Sequence, residues 1–334
     1  QTITNFLLTF KNTFERRKEM NIYHLTQNKI LKDISDNLSW YNEDNSYFIL
    51  CFPKEIGILQ SIFHFDSSTI EECLTFDENI RFDSFENYDF ISLNYFYFLD
   101  GKTFFEEINL YIGSNYIILV GEPKSTIIDE IEKYISQKIN MMDNPANELN
   151  RIYFWIFDRI LSHFFSSLED LEDKLQHLEL DIIKNIEKKQ FMEINAIRMQ
   201  INQLKKYLRP LLYIGDQFLV NENGFINPNH LRYFKNIDIR MNKLYDYLSS
   251  LKEMGDQLLY LYESVLTAQT NDIVTRLTIL ALFFAPLTLI TGIYGMNFEY
   301  MPELSWKYGY PLSLCIMVLL ILILYIIFKR KKWL

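Results

Sequence analysis

The chain contains 334 residues, enough for about two folding units at the usual domain size. Hydrophobic residues make up 49% and aromatic residues 16%, a composition that excludes a mainly disordered chain. The formal net charge of −10 argues against a general nucleic-acid binder. The cysteines, Cys51, Cys73 and Cys315, lie far apart, so we expect neither a disulfide framework nor a cysteine-based zinc site.

Nineteen residues precede Met20, the first methionine of the chain. The segment before it, at 15–19, reads ERRKE, which a purine-rich stretch with a ribosome-binding sequence can encode. We therefore expect the native protein to start at Met20 and residues 1–19 to be a non-native leader. N-terminal sequencing of the native protein tests this expectation.

Residues 20–144 carry short aromatic and branched runs that are separated by turn signals. The run at 47–52 stops at Pro53, and the run at 88–99 ends at Asp100-Gly101, a hairpin signal. Further runs at 104–112 and 116–120 are followed by a helical pattern at 125–139. This segment therefore predicts a cytoplasmic α/β domain on a mostly antiparallel sheet.

Residues 145–227 predict an antiparallel helix pair, because 149–184 and 190–220 are long, amphipathic and poor in glycine. Pro210 is expected to kink the second helix. Acidic residues gather along the first helix, and a solvated face or a cation-attracting surface both fit them: Glu169, Asp170, Glu172, Asp173, Glu179 and Asp181.

Residues 228–276 predict a stalk helix that follows a turn at 221–228. No proline interrupts residues 229–285, which as one helix would be about 85 Å long. Apolar residues follow a heptad seam, which must be buried against other copies or against neighbouring helices and which predicts an oligomer: Ile237, Met241, Leu244, Leu248, Leu251, Leu258, Tyr262 and Val265.

Two uncharged runs, at 277–298 and 308–328, close the chain and contain 22 and 21 residues. Each would form about 32 Å of helix, enough for a hydrocarbon core of about 30 Å. Arg276, Lys307 and Lys329 flank the runs, so two transmembrane spans are favoured over two buried core helices. Residues 299–307 form the loop between the two spans, which is external in the orientation given below.

The positive charges predict the orientation of these spans. The tail at 329–334 contains four positively charged residues, Lys329, Arg330, Lys331 and Lys332. The loop before the second span contains one, Lys307. The positive-inside rule then places both termini in the cytoplasm of a multi-pass protein of the cytoplasmic (inner) membrane.

One face of the first span and the stalk end carries mostly small or polar residues at spacings of three and four: Asn271, Val274, Thr278, Ala281, Ala285, Thr288 and Gly292. We call these seven residues the stripe. Small residues also allow close helix packing, so periodicity favours packing and a pore equally. The stripe contains no carboxylate, which suits passage of a divalent ion that keeps its waters.

The residues after the stripe carry a resemblance to a known family. The motif Tyr294-Gly295-Met296-Asn297 ends the first of two C-terminal spans, and FEYMPEL at 298–304 and YGYP at 308–311 follow it. With the basic tail, this arrangement strongly resembles the CorA family of magnesium channels, and the likeness covers nearly everything after Met20. The resemblance implies a homopentameric funnel with one stalk helix per subunit lining the pore.

The resemblance also implies roles at the outer mouth. Gly295, Met296 and Asn297 match the selectivity motif, where a ring of Asn side chains binds hydrated Mg²⁺. Glu299 and Glu303 match the acidic external loop that collects cations.

Further inside, the resemblance makes Asn271 a polar ring at the inner end of the pore, Leu277 an apolar gate position and Thr288 a polar pore ring. The basic tail girdles the inner mouth. The position before Pro286, often Met in relatives, is Ala285, which is expected to loosen one constriction.

The family also carries a regulatory Mg²⁺ site between subunits. Glu71 and Glu72 resemble its first half, whereas the stalk position that is commonly Asp is Asn236, with Asp238 two residues further on. Because an amide offers oxygen without charge, we expect weaker or relocated sensing, in which cytoplasmic Mg²⁺ favours a closed bundle.

Three functions remain open from the sequence. The first is passive Mg²⁺ uptake that also admits Co²⁺ or Ni²⁺, driven by the membrane potential. The second is zinc transport by a related protein, although the residues after the Gly-Met-Asn motif favour magnesium. The third is a non-conducting membrane scaffold or sensor. No enzyme is expected, because no catalytic motif occurs and the histidines are scattered: His24, His64, His163, His177 and His230.

Overall fold

The computed structural model describes residues 20–26, 29–31, 40–75, 80–99, 102–142, 145–297, 299 and 301–331. By its internal contacts the chain divides into two compact units. The first consists of residues 1–178 and 192–257, and the second of residues 179–191 and 258–334. The expected leader at 1–19 and the predicted turn at Asp100-Gly101 lie outside the described residues, as does Lys332.

A seven-stranded sheet organises the first unit, with strand order β2-β1-β3-β7-β6-β5-β4. Its strands are β1 (Asn21–His24), β2 (Lys29–Leu31), β3 (Tyr47–Cys51), β4 (Arg81–Ser84), β5 (Asp89–Leu99), β6 (Lys102–Ile112) and β7 (Tyr116–Gly121). The β3–β7 pair is parallel, and the other five pairs are antiparallel. The prediction of a mostly antiparallel sheet is therefore confirmed.

Helices cover both faces of this sheet. α1 (Ile56–Phe63) and α2 (Ser67–Leu74) pack on one face, where Ile56, Phe63 and Ile70 join a core with alternate residues of β3 and β7. On the other face lies α3 (Thr126–Ile139), whose Glu132 accepts a hydrogen bond of 2.8 Å from the Tyr23 hydroxyl on β1. Because strand side chains alternate between faces, both sets of apolar strand residues are buried.

Three long helices follow, namely α4 (Leu149–Lys184), α5 (Lys188–Val220) and α6 (Leu231–Tyr294). The predicted long helix is confirmed, and two further long helices occupy the segment for which the sequence predicted a helix pair. α5 continues through Pro210 without ending there. In the first unit Arg198 on α5 donates to Asp256 on α6 at 2.8 Å through Nε, and Arg240 on α6 pairs with Asp158 on α4. Polar bonds therefore tie α6 to both partners.

The heptad seam is already covered within one chain. Seven of its eight residues, from Ile237 to Tyr262, are buried, and Val265 is half-buried. The expected burial against neighbouring helices is therefore met inside the protomer. The seam does not by itself require a second copy, so burial of the seam is not evidence for an oligomer.

The second unit contains the turn between α4 and α5, the later part of α6, and α7 (Gly309–Arg330). Buried Gln190 closes the turn, because its amide donates to the Asn185 carbonyl at 3.0 Å and accepts from the Glu187 N–H at 2.8 Å. Phe191 contacts Tyr262 with ring centroids 5.7 Å apart. Both α6 and α7 are long and apolar enough to cross a membrane.

Candidate functional site

The stripe lies on the side of α6 that α7 leaves open. All seven stripe residues are exposed in the single chain. Ile279, by contrast, is only 6% exposed, and the Phe283 ring meets the ring of Phe328 on α7. At 3.6 residues per turn, the stripe lies roughly 150° around the helix from this covered side.

The polar side chains in and near the stripe differ in whether they already form a hydrogen bond. Thr278 and Thr291, the latter outside the stripe, donate their hydroxyls to carbonyls of α6 itself, at 2.8 Å and 3.1 Å. Among the described residues, no side-chain hydrogen bond is found for Asn271, Thr288 or Asn297. These three side chains are therefore available to water or to a hydrated ion.

The Gly-Met-Asn motif begins directly after the last residue of α6, Tyr294. The Gly295 N–H donates to the carbonyl four residues earlier at 2.9 Å, and the Met296 N–H donates to the carbonyl three residues earlier at 3.2 Å. Met296 is 50% exposed, and Asn297 is exposed as well. The negative end of the helix dipole adjoins this segment, which favours a nearby cation.

A shallow open depression connects the stripe to the motif. Ala285, Thr288 and Gly292 line it together with Met296. An added Cβ at Gly292 would meet no atom within 4 Å. Three of the predicted pore residues and Met296 of the motif therefore share one open surface. Leu277, the expected gate residue, is 60% exposed on an adjoining side of α6.

The external loop is described only in part. Glu299 is exposed, and Glu303 lies in a short 3-10 helix, Pro302–Ser305. Trp306 and Tyr308 meet at a ring-centroid distance of 6.2 Å just before α7, where interfacial aromatic residues are expected.

The basic tail starts inside α7. Lys329 and Arg330 occupy its last turn, and the Lys331 N–H caps it by donating to the Ile327 carbonyl at 3.0 Å. Cations at this end complement the negative end of the helix dipole.

The two acidic residues on α2 have different surroundings. Glu71 is exposed. Glu72 forms a salt bridge of 2.7 Å with Arg81 on β4, and its side chain is only 10% exposed. The guanidinium of Arg81 also lies over the Phe90 ring, 5.2 Å from its centroid. Glu71 is thus the carboxylate of the pair that faces outward.

Asn236 and Asp238 also differ in their surroundings. Asn236 is exposed on α6, whereas Asp238 accepts a hydrogen bond of 3.0 Å from the Asn242 amide and faces α5. An added Cβ at Gly215 on α5 would lie 2.7 Å from Oδ1 of Asp238. Burial, and next the charge of Asp216, raises the pKa of Asp238.

Within the described part of the chain, no three His, Cys, Asp or Glu side chains form a group able to hold a metal. Glu71, Glu72 and Asp238 are therefore not brought together as a metal site in one protomer. The sequence reasoning missed the Glu72–Arg81 bridge and the contact of Asp238 with α5. No local signal could have revealed either, because both depend on contacts between separate elements.

The chain combines an α/β domain with the long helix α6, whose C-terminal part is apolar, and a second apolar helix, α7. The exposed polar stripe on α6 places the protein in the ion-transport class of membrane proteins. Residues 43–330 match the model of the family described as CorA-like Mg²⁺ transporter protein, and the chain belongs to this family.

Relatives and solved structures extend this match over most of the chain. The chain is 28% identical to the cobalt/magnesium transport protein CorA of Thermotoga maritima over 79% of its own length and 76% of the relative. It is 26% identical to the magnesium transport protein CorA of Wolinella succinogenes, over 84% and 88% of the two lengths. The complete CorA magnesium transporter of Methanocaldococcus jannaschii superposes with a TM-score of 0.80 at 22% identity, over 95% of this chain and 99% of that chain.

Proposed function

We propose that the protein carries Mg²⁺ passively across the cytoplasmic membrane through a pore formed by five copies. In this arrangement the stripes of five α6 helices surround one axis, and five Asn297 side chains form a ring at the outer mouth. Both termini lie in the cytoplasm, as the basic tail of α7 favours. The external carboxylates of Glu299 and Glu303 collect cations, and Leu277 provides an apolar gate.

The observation that carries this proposal is the open stripe on the side of α6 away from α7, ending in Gly295-Met296-Asn297. Contact of this surface with lipid is unfavourable, because its amide and hydroxyl groups would have no hydrogen-bond partners in hydrocarbon. A shared aqueous axis satisfies them. Asn271, Thr288 and Asn297 can then hydrogen-bond the waters that Mg²⁺ releases reluctantly.

The membrane potential supplies the driving force. A divalent ion gains about 4.6 kcal/mol per 100 mV when it enters a negative interior. Because one similar protein is named a cobalt/magnesium transport protein, we extend the proposed cargo to Co²⁺ and, by similar size and hydration, to Ni²⁺.

Regulation by cytoplasmic Mg²⁺ is the second part of the proposal. As the family resemblance implies, the regulatory ion bridges two subunits, between Glu71 of one and the Asn236–Asp238 region of the next. Among the described residues of one protomer, no three His, Cys, Asp or Glu side chains form a group able to hold it. Its affinity is expected to be low, because Asn236 contributes no charge and Glu72 is neutralised by Arg81. Loss of this ion frees the stalks and opens the pore.

The test is Mg²⁺ influx into proteoliposomes with an inside-negative potential. We expect flux in the parent and at least a tenfold loss in Asn297→Ala, because the ring that holds the hydrated ion is removed. Ser305→Ala, an exposed change in the same external segment, serves as the matched control and should retain parental flux.

Three outcomes would contradict the proposal or part of it. Influx of Zn²⁺ without Mg²⁺ identifies a zinc transporter, and absence of any metal flux from a correctly assembled protein identifies a scaffold or sensor. Equal Mg²⁺ flux in the parent and Asn297→Ala contradicts the role of the Asn ring.

A further inference from the structure

A polar array lies inside the α/β domain, on the face of the sheet that α2 covers. Ser92 and Asn94 on β5 stand directly opposite Asn109 and Glu107 on β6. Because directly opposed residues of antiparallel strands share a face, these four side chains project to the same side of the sheet. We call them the β5–β6 array.

The β5–β6 array is buried and only partly satisfied. Ser92, Asn94 and Asn109 are 0%, 1% and 3% exposed. The Asn109 amide nitrogen donates to Glu107 at 2.6 Å. Yet within the described residues the Ser92 hydroxyl, both amide atoms of Asn94 and the Asn109 oxygen find no hydrogen-bond partner. Buried polar groups are almost always paired, so four unpaired atoms on adjoining side chains leave hydrogen-bonding capacity for water or an ion.

A helix and a cavity adjoin the array. Cys73 on α2 lies 3.4 Å from the Tyr111 hydroxyl of β6, one row of the sheet away from Asn109. A cavity of about 120 Å³ is lined in part by Cys73, Glu107 and Asn109. This volume is sufficient for about four water molecules at about 30 Å³ each.

The charges around the array favour a cation. Glu107 and Glu72 contribute two negative charges, and Arg81 contributes one positive charge. Burial raises the pKa of Cys73 to about 12, and the charges of Glu107 and Glu72 add to this effect. The thiol therefore stays protonated, and the available ligands are carboxylate, amide and hydroxyl oxygens, which suit hard cations.

We propose that the β5–β6 array binds one Mg²⁺ ion inside each α/β domain. The Glu107 carboxylate and the amide oxygens of Asn94 and Asn109 act as ligands, and water molecules in the cavity complete the shell. Ser92 hydrogen-bonds a ligand water. One carboxylate among neutral oxygens makes a weak site, with a Kd expected in the millimolar range.

Binding at this site would hold α2 against β5 and β6. Because α2 also carries Glu71, the site gives the cytoplasmic domain a second response to Mg²⁺ that needs no contact between subunits. The inference does not rest on transport: a protein that conducts nothing can still contain the site, and a conducting protein can lack it.

The experiment measures bound metal in the full-length protein in detergent. Equilibrium dialysis with Mn²⁺ should show one fewer ion per chain in Glu107→Gln and in Asn94→Leu than in the parent. Asn115→Leu is the matched control, because the Asn115 amide already donates to the carbonyls of Glu43 and Asn45. The control should keep the full number of ions.

Thermal unfolding gives an independent readout. Added Mg²⁺ should raise the Tm of the parent and of Asn115→Leu by several degrees more than that of the array variants. Without metal, Asn94→Leu should be as stable as the parent or more stable, because an orphan amide is removed. If Asn94→Leu does not fold, the isosteric Glu107→Gln decides.

An unchanged number of Mn²⁺ ions, or an equal Mg²⁺-dependent rise of Tm in all variants, overturns the proposal. Stabilisation of the parent by K⁺ but not by Mg²⁺ or Mn²⁺ overturns it as well. The Asn297→Ala variant should retain the site, so failure here and failure of the transport proposal are distinguishable.

Discussion

The ring of Phe283 on α6 packs edge-on against Phe328 on α7, with centroids 5.5 Å apart and planes inclined by 78°. This contact fixes the side of α6 that faces α7 within the second unit. Since the stripe lies roughly 150° away around the helix, α7 cannot cover it. The function proposed for the stripe therefore depends on this aromatic pair.

Removing either ring should loosen the helix hairpin. Phe328→Ala is expected to lower the free energy of unfolding by about 3 kcal/mol, as for other buried Phe truncations, and Phe283→Ala by less, because Phe283 is half-buried. A double-mutant cycle should give a coupling of about 0.5–1.5 kcal/mol for the edge-on pair. Unfolding in detergent measures both, with the exposed Phe284→Ala as the control. Strictly additive effects contradict the pairing.

The two threonines at the end of α6 provide a matched test of the pore. Thr291 donates its hydroxyl to two carbonyls of its own helix, whereas Thr288 has no such bond among the described residues. We expect Thr288→Val to reduce Mg²⁺ flux about tenfold and Thr291→Val to change it less than twofold. Stopped-flow flux in proteoliposomes compares them. Equal losses of Mg²⁺ flux in the two variants would mean that the stripe does not line the ion pathway.

Substitution of Gly292 tests the assembled pore without disturbing the fold of one subunit. An added Cβ meets nothing in the single chain, and alanine favours helix by up to about 1 kcal/mol over glycine. Gly292→Ala should therefore leave the monomer fold intact while it narrows a five-fold axis and lowers flux severalfold. Gly57→Ala, open in the same way on α1, is the control. Full flux in Gly292→Ala argues for a stripe that faces lipid.

Local patterns in the sequence predicted part of the sheet and the longer helices, but not β1, β2, β4, α1 or α2. Aromatic and branched runs predicted β3, β5, β6 and β7. The absence of proline from 229 to 285 predicted a long helix, and α6 continues beyond that stretch through Pro286 to Tyr294. The parallel pairing of β3 with β7, in which Tyr47 lies opposite Tyr116, was not predicted, because no local pattern encodes which distant strands meet.

The site was predicted unevenly for the same reason. The stripe follows from helical periodicity, so its common face was visible in the sequence. The bridge from Glu72 to Arg81 joins a helix to a strand, and sequence spacing could not separate Glu72 from Glu71. The seam residues were correctly assigned as buried, but α4 and α5 supply much of the cover that other copies were expected to give.

The two α2 carboxylates should respond differently to neutralisation. Glu71→Gln is expected to weaken Mg²⁺-dependent protection from proteolysis at least fivefold, since Glu71 is exposed and no ion pair of it is found among the described residues. Glu72→Gln should weaken it less, because Arg81 already neutralises Glu72. Asn236→Asp adds charge and should lower the Mg²⁺ concentration needed for protection. Equal Mg²⁺ dependence of Asn236→Asp and the parent would contradict this site.

Replacing Asp238 by a neutral residue is expected to stabilise the protein to a degree that depends on pH. Its pKa is raised by burial first and by the charge of Asp216 second. An acid whose pKa is higher in the folded than in the unfolded state binds its proton more tightly when folded. Ionisation of Asp238 therefore lowers the free energy of unfolding. The loss is complete at a pH above the pKa of the folded state, and it disappears at a pH below the pKa of the unfolded state.

Asp238→Asn should accordingly be more stable than the parent at pH 7, and the difference should shrink as the pH falls through 4. The introduced amide keeps an oxygen that can accept from Asn242, so the change removes mainly charge. Denaturant unfolding at a series of pH values measures the difference, with the exposed Asp246→Asn as the control. Asp216→Asn should give a gain of the same sign, because it removes the repulsive partner. A destabilised Asp238→Asn at pH 7 would instead mean that the ionised carboxylate holds α6 against α5.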